Sequence, residues 1–315
     1  MTEANADIMA DFPFTISSDI DLGRRLAVSS VSSGADVAIR EGEVPTAIEA
    51  TQTGATYLLN HREFLLDLPD GSRFYVRNGE EIVYSRGSAS GDGDMALFIL
   101  GTAFGALCYQ RGLIPIHASA VLIDGRISAI TGHSGAGKST LAANLARRGH
   151  SFFSDDTVIF DPSAASDSAI CYAGQKQLKL WNDAIAVTGA EKLDPVREFM
   201  AIDKHYAMPA NPSSIYRAEL AKLLVLRRTR GDSAHPNQIE PIKGSNALRA
   251  IQANFYRPHF AETILGRGNL FRALKILLET VEIARFTRER GDENYERAID
   301  YAENWIASSN IDRSQ

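Results

Sequence analysis

The chain has 315 residues, 44% hydrophobic and 23% charged, which are the proportions of an ordinary folded protein with room for two domains or one large one. Its net charge of −6 argues against a polyanion-binding surface as the main function, so nucleic acid is not a favoured partner. Two widely separated cysteines in apolar contexts, Cys108 and Cys171, suit a reduced cytoplasmic protein, and no C-x-x-C or His/Cys cluster points to a structural zinc.

Met1 to about Ile20 is polar and rich in small residues, which predicts a frayed terminus. Met1 to Phe14 lacks the basic and apolar regions of a secretory signal. Four short runs follow at Ala55–Leu59, Glu63–Leu68, Arg73–Val76 and Glu81–Tyr84. The turn signals Pro69-Asp70-Gly71 and Asn78-Gly79 lie between them, which predicts a small antiparallel sheet. No catalytic constellation is visible there, and residues 1–90 read as a mostly β N-terminal domain for recognition or assembly.

Gly87 to Asp94 reads as a linker ending in a helix cap, and a helix apolar on most of its circumference is expected from about Met95 to Gln110. The most apolar stretch, Ala96 to Tyr109, is only fourteen residues long. A membrane span needs about 20 residues, so this helix is expected in the core and no membrane partner is expected.

Ile116–Ile123 and Arg126–Thr131 are apolar runs joined by Asp124-Gly125, a strong hairpin signal. The second run enters Gly132-His133-Ser134-Gly135-Ala136-Gly137-Lys138-Ser139, which fits G-x-x-x-x-G-K-[ST] and continues at Thr140 into a helix. Strand, glycine loop and helix N-terminus together make a cradle for phosphate, because unpaired helix N–H groups and the helix dipole face the anion. Gly132 through Thr140 are therefore the candidate nucleotide contacts, with Lys138 on the β- and γ-phosphates and Ser139 on Mg²⁺. His133 is expected to face solvent or substrate.

Beyond the loop helix, Ser151 to Phe160 reads as two strand pieces with Asp155-Asp156 between them. Two adjacent carboxylates can divide the work of a phosphoryl transfer, one on the metal and one taking the acceptor's proton; an acidic turn is the plain alternative. His117 precedes a strand beside the loop strand, and its ring can reach the γ-phosphate or Asp155 or serve structurally. Trp181 is expected in the core and Asp183 as a turn cap, with a place beside the nucleotide as the other option. Arg217, Arg227, Arg228 and Arg230 can clamp phosphate or an acidic substrate, or form a solvated basic turn.

Ala169–Tyr172 and Leu220–Leu226 read as strands, Arg197–Arg217 as a mobile loop and Arg227–Asn237 as a charged turn. Helices are expected from about Asn269 to Arg288 and from about Asn294 to Ile306. Residues 91–315 thus form a second, mixed α/β domain carrying the phosphate loop.

Taken together, His117-Ala118-Ser119-Ala120-Val121, Asp124-Gly125, the loop, Arg148-Gly149-His150 and Ser154-Asp155-Asp156-Thr157-Val158 resemble the catalytic domain of HPr kinase/phosphorylase. That resemblance implies a mixed α/β fold related to phosphoenolpyruvate carboxykinase and transfer of phosphoryl from ATP or pyrophosphate to a serine of a small carrier protein, with ATP, or GTP, and Mg²⁺ as the expected cofactors here. It implies Asp155 as the carboxylate that activates the hydroxyl, Asp156 as metal support and His117 near the reacting phosphate. It also implies a homo-oligomer, a hexamer in the carrier-protein kinases. Leu180-Trp181-x-Asp183 and the divergent first hundred residues look more like kinase homologues of lasso-peptide clusters, which implies a precursor peptide as acceptor. A nucleotide-binding regulatory or assembly module and a small-molecule kinase are the competing readings.

Overall fold

The computed structural model of the chain describes residues 12–22, 34–88, 90–197, 203–228, 237–288 and 295–308. The fold is mixed α/β, with three sheets among the described residues.

The first sheet has seven strands: β1 (Ile16–Ser18), β2 (Val37–Glu41), β3 (Gln52–Thr53), β4 (Tyr57–Leu59), β5 (Glu63–Asp67), β6 (Arg73–Arg77) and β7 (Glu81–Ser85), in the order β1-β2-β7-β6-β5-β4-β3. The four runs read from the sequence form an antiparallel meander, but β1–β2 and β2–β7 pair in parallel, so the sheet is mixed rather than antiparallel. Alternation sends Phe64, Leu66, Phe74, Val76, Ile82 and Tyr84 into the main core, while Leu65, Tyr75 and Val83 cover Val44 on the other face. The expected frayed terminus needs correction from residue 12 onward: Phe12, Phe14, Ile16 and Ile20 are buried, the first two packing around Phe104.

A helical stretch follows, made of α1 (Asp92–Phe98), a π-helical turn at Ile99–Ala103 and α2 (Phe104–Gln110). It is buried as expected, and its side chains share one apolar cluster with the first sheet and with strands beyond it. No helix among the described residues is long and apolar enough to cross a membrane.

The central sheet is built from β8 (Ile114–Ile116), β9 (Ala118–Ile123), β10 (Arg126–Gly132), β11 (Ser151–Phe160), β12 (Ile170–Gln175), β16 (Arg217–Arg228), β17 (Gln238–Pro241) and β18 (Glu282–Arg288). The β9–β10 hairpin is the one read from Asp124-Gly125, with antiparallel register Ile127 to Leu122. On its other side β10 runs parallel to β16, and β16 parallel to β18. Helix α3 (Lys138–Arg147) leaves β10 through the glycine loop. A small third sheet holds β13 (Leu178–Trp181), β14 (Glu191–Pro195) and β15 (Lys204–Met208), with α4 (Asn182–Thr188) after β13. Two further helices, α5 (Gly244–Ala253) and α6 (Pro258–Thr280), lie before β18, and α7 (Tyr295–Ala307) packs on α3.

Three expectations change here. The helix expected through Arg288 ends at Thr280, and 282–288 is a strand. Glu-Ile-Ala-Arg-Phe-Thr-Arg carries β-branched and aromatic residues that fill the slot beside β16, and that tertiary site overrides helical spacing. The expected loop 197–217 contains β15, whose Tyr206 and Ala207 are buried. Helix α5 and the first half of α6 were not anticipated, since Gly266 with φ +76° breaks the helical period between 258 and 280. The charged turn expected at 227–237 lies mostly outside the described residues, Arg230 with it.

A second apolar cluster joins Ile130, Leu141, Leu145, Leu224, Phe286 and Ile299, so the strands on both sides of the loop and helices α3 and α7 share one support. Phe286 is fully buried there. Phe286→Ala is expected to cost about 3–5 kcal/mol, read as a lower urea midpoint, and an unchanged midpoint would remove β18 from the core.

Candidate active site

The loop from Gly132 to Ser139 sits where β10 ends among its neighbours. Gly132 has φ +141°, and a Cβ there would stand 2.7 Å from the Leu226 carbonyl oxygen on β16, so only glycine lets the strand turn this close to its neighbour. Gly135 and Gly137 also take positive φ, at +76° and +89°. His133, Ser134 and Gly135 form the exposed rim, whereas Ala136 and Lys138 are buried. Arg288 of β18 donates to the Ala136 carbonyl and anchors the loop's back. Lys138 Nζ donates to the carbonyls of Gly132 at 3.0 Å and His133 at 3.4 Å. Burial pulls its pKa below the ordinary lysine value, against the pull of Asp155 and Asp156.

The two carboxylates meet the loop because β11 is bulged. In a regular strand, adjacent side chains point to opposite faces. Here the pairing of β11 with β12 shifts register between Asp155 and Val158, and Asp156 takes φ +66°, a left-handed conformation unusual for a residue with a side chain. Both carboxylates consequently line one cleft with the loop. Ser154 holds the bulge, its hydroxyl donating to the Thr157 carbonyl at 2.6 Å and accepting from the Gly174 N–H at 3.0 Å. A Cβ on Gly174 would fall 2.0 Å from Thr157 Oγ1. The two strand pieces of the sequence reading are one strand with this kink.

Asp155 is the carboxylate that reaches the loop. Its Oδ1 accepts from Ser139 Oγ at 2.9 Å and Ser119 Oγ at 2.5 Å, and its Oδ2 from the Lys179 backbone N–H at 2.8 Å. Asp156, expected beside the metal, has partners other than Ser139. Its Oδ2 accepts from Lys179 Nζ at 2.9 Å and Gln175 Nε2 at 3.2 Å. Burial would raise the Asp156 pKa, but the Lys179 ammonium and the neighbouring His117 outweigh it and hold the carboxyl well below its ordinary range. Burial likewise opposes the Lys179 charge, and Asp156 keeps the ammonium above the ordinary lysine range.

His117 falls at the break between β8 and β9, with its backbone N–H on the Asn254 carbonyl at 2.8 Å. Its Nδ1 lies 2.9 Å from the Asp156 carbonyl oxygen and 3.4 Å from Asp156 Oδ1. Burial lowers the His117 pKa, so the ring is neutral at pH 7 and Nδ1–H donates to that carbonyl. The structure thus brings His117, Lys138, Ser139, Asp155 and Asp156 into one cleft, with His133, Ser134 and Thr140 at its lining.

Trp181 is not in the core: it is 49% exposed and lines the cleft, because the alternation of β13 sets Lys179 and Trp181 on the face opposite Leu178 and Leu180, and only Trp181, at the strand's end, is left uncovered. Asp183 lies in the first turn of α4, where its Oδ1 accepts from the Ala184 N–H at 2.7 Å. Arg227 lines the cleft, while Arg217 is at the opposite end of β16 and exposed.

Three residues of the site were missed from sequence. Lys179 binds Asp155 through its main chain and Asp156 through its side chain, Gln175 supports Asp156, and Tyr256 packs edge-on to His117 with ring centroids 5.7 Å apart. Tyr256 fits a slot in the helical stretch, where a Cβ on Gly101 of the π-helical turn or on Gly105 of α2 would come within 3.1 or 2.9 Å of it. Burial pushes its phenol up to about 12, so it stays protonated. The alternation of Gln177-Leu178-Lys179-Leu180 was the one legible signal, since it puts Lys179 on the face opposite the buried leucines.

No family model matches the chain, and no curated protein matches it. The solved structures that match include the HPr(Ser) kinase/phosphatase from Coxiella burnetii, at 14% identity and a TM-score of 0.31, covering 61% of this chain and 89% of that one. An overlap this loose assigns no residue roles.

Lys179→Met would leave the charged, largely covered Asp156 without its main partner, at a cost of up to about 3 kcal/mol. The double variant Lys179→Met/Asp156→Asn is expected to recover most of that loss in urea unfolding; equal losses in both would mean the pair is not coupled. Because folding lowers the Asp156 pKa, its contribution is complete above the ordinary value of 3.8 and is lost as pH falls below it toward the lowered folded value.

Proposed function

We propose that the chain is a Mg·ATP-dependent kinase that phosphorylates a serine hydroxyl of a peptide or small protein. The observation that carries the reading is the convergence of a glycine loop ending in Lys138-Ser139 with two carboxylates that have different partners, Asp155 on Ser139 and Asp156 on Lys179. Hard oxygen donors suit Mg²⁺, which takes few protein ligands and leaves the rest to phosphate and water. The Ser139 hydroxyl and Asp155 carboxylate, joined at 2.9 Å, are those donors. Among the described residues no group of three His, Cys, Asp or Glu side chains forms a metal cage, which suits an ion shared with phosphate. When bound, the ion supplies neutralisation of the β- and γ-oxygens.

The remaining roles follow from the partners. Backbone N–H groups of the loop and of the first turn of α3 orient the triphosphate, and Lys138 exchanges its loop carbonyls for phosphate oxygens. Asp156, kept ionised by Lys179, orients the acceptor hydroxyl and takes its proton. The hydroxyl oxygen bonds to the γ-phosphorus as the bond from that phosphorus to the β,γ-bridging oxygen breaks, and the electron pair leaves with the nucleoside diphosphate. His117 fixes the Asp156 main chain, and Lys179 sits where it can offset charge on the moving phosphoryl group. The geometry therefore favours exchanging the roles that the motif resemblance implies for the two aspartates. ATP, with GTP as the other donor, a lasso-type precursor as acceptor, the division near residue 90 and a homo-oligomer of the hexameric kind belong to this proposal as readings of the sequence and of its resemblance.

The test is mass spectrometry of serine-containing peptides and an HPr-type carrier after incubation with Mg·ATP. Lys138→Ala is expected to abolish phosphate gain. Asp156→Asn is expected to lower the rate by at least about 10²-fold, the lower end of general-base contributions, while nucleotide affinity changes little. Asp155→Asn is expected to raise the Mg²⁺ concentration needed for half-maximal rate. ATP binding without phosphate gain on any acceptor would instead support the regulatory module.

A further inference from the structure

The cleft holds more binding surface than a nucleotide uses. Its volume is about 1930 Å³, and it continues into a second groove of about 920 Å³. Pockets for a drug-sized ligand run to roughly 300–1,000 Å³. Arg249, Pro258 and His259 line both spaces, so the groove leads out of the reaction cleft along the junction of α5 and α6. Its far wall is the edge of the first sheet, where Thr263 Oγ1 of α6 donates to Gln52 Oε1 of β3 at 2.6 Å. Strand β3 is the last in its sheet.

The charge on this route is one-sided near the cleft. Arg249 donates only to neutral partners, Asn246 at 3.1 Å and Ser245 at 3.5 Å, and Arg257 donates to the Thr102 hydroxyl at 3.2 Å. Neither forms an ion pair among the described residues, and both are exposed. Further out, Arg267 is 90% exposed and pairs with the exposed Glu262 at 2.6 Å, a contact that solvent screens. The walls between them present the amide side chains of Gln52 and Gln252. Arg249 and Arg257, without carboxylate partners where the groove meets the cleft, and the exposed Arg267 further out, paired only through a solvent-screened contact, complement an acidic chain.

We propose that this groove is the acceptor channel and that it seats an extended polypeptide segment whose Asp or Glu residues flank the hydroxyl to be phosphorylated. The proposal rests on the phosphotransfer reading of the cleft. A polypeptide fits better than a nucleic acid because Glu262 stands on the outer wall, where a continuous phosphodiester backbone would meet it and spaced carboxylates need not.

Fluorescence anisotropy with the full chain tests it directly. Three labelled twelve-residue peptides would be used, each with one central serine and with flanks of Asp/Glu, Asn/Gln or Lys. The acidic peptide is expected to bind about tenfold or more tightly than the neutral one. Arg249→Glu and Arg267→Glu are each expected to remove most of that preference, whereas Lys275→Glu, the same charge change on an exposed part of α6 outside the groove, is expected to keep it. Equal binding of acidic and neutral peptides, or loss of the preference in the Lys275 variant as well, would overturn the channel. A single-stranded oligonucleotide that displaces the acidic peptide at lower concentration than unlabelled peptide would overturn the polypeptide assignment. Phosphate transfer without charge preference would leave the kinase standing and the channel refuted. Acidic-peptide binding without transfer would leave the groove as a peptide-binding site and overturn its assignment as an acceptor channel.

Discussion

The β-bulge at Asp155-Asp156 is the constraint on which the site depends. A strand in regular register would bury one carboxylate under the sheet and show the other to the cleft. The bulge turns both to the same side, at the price of a left-handed Asp156 and two like charges in adjacent residues. The surroundings over-determine that conformation: Ser154 ties the kink to Thr157 and Gly174, and Lys179 grips both carboxylates, one by main chain and one by ammonium. Strain of this kind, of order 1–3 kcal/mol, persists only where neighbours enforce it.

That arrangement explains why so much of the molecule converges here. The loop needs β16 beside it, because Gly132 turns against Leu226, and β18 beyond, because Arg288 holds Ala136. Position 117 needs the segment at 254–256, which hydrogen-bonds to the β8–His117 corner, and Tyr256 in turn needs the glycine slot in the helical stretch before it. The main apolar cluster runs from Phe12 to Ile283 and joins that stretch to the first sheet, so a residue such as Tyr256 is held indirectly by residues far away in sequence.

What the sequence made legible was local. The hairpin at Asp124-Gly125, the loop and the start of α3 follow from turn chemistry and glycine spacing, and the candidate residues around them do share one cleft. The different hydrogen-bond partners of Asp155 and Asp156 were not legible, because they come from elsewhere in the chain. Those partners, Ser119, Gln175 and Lys179, lie 36, 19 and 23 residues away along the chain. Residues 282–288 misled for a related reason: a spacing compatible with helix was overruled by a vacant edge beside β16. Trp181 misled through composition, since an aromatic at the end of an apolar run is more often core than cleft wall.

The same partners explain how a site so rich in charge stays folded. Lys138 is buried and would be costly unpaired, yet it rests on the carbonyls of Gly132 and His133. Ser139 and Asp155 satisfy each other in the same way. On the proposed reading, nucleotide and metal binding would therefore not begin from exposed, waiting charges. It would replace internal hydrogen bonds with stronger charge-assisted ones to phosphate and metal, so the net gain would be the difference between the two sets. Asp156 is exempt from that exchange, since Lys179 and Gln175 can stay with it throughout. On the proposed reading it is thus the group that would already be aligned for an acceptor before the donor arrives.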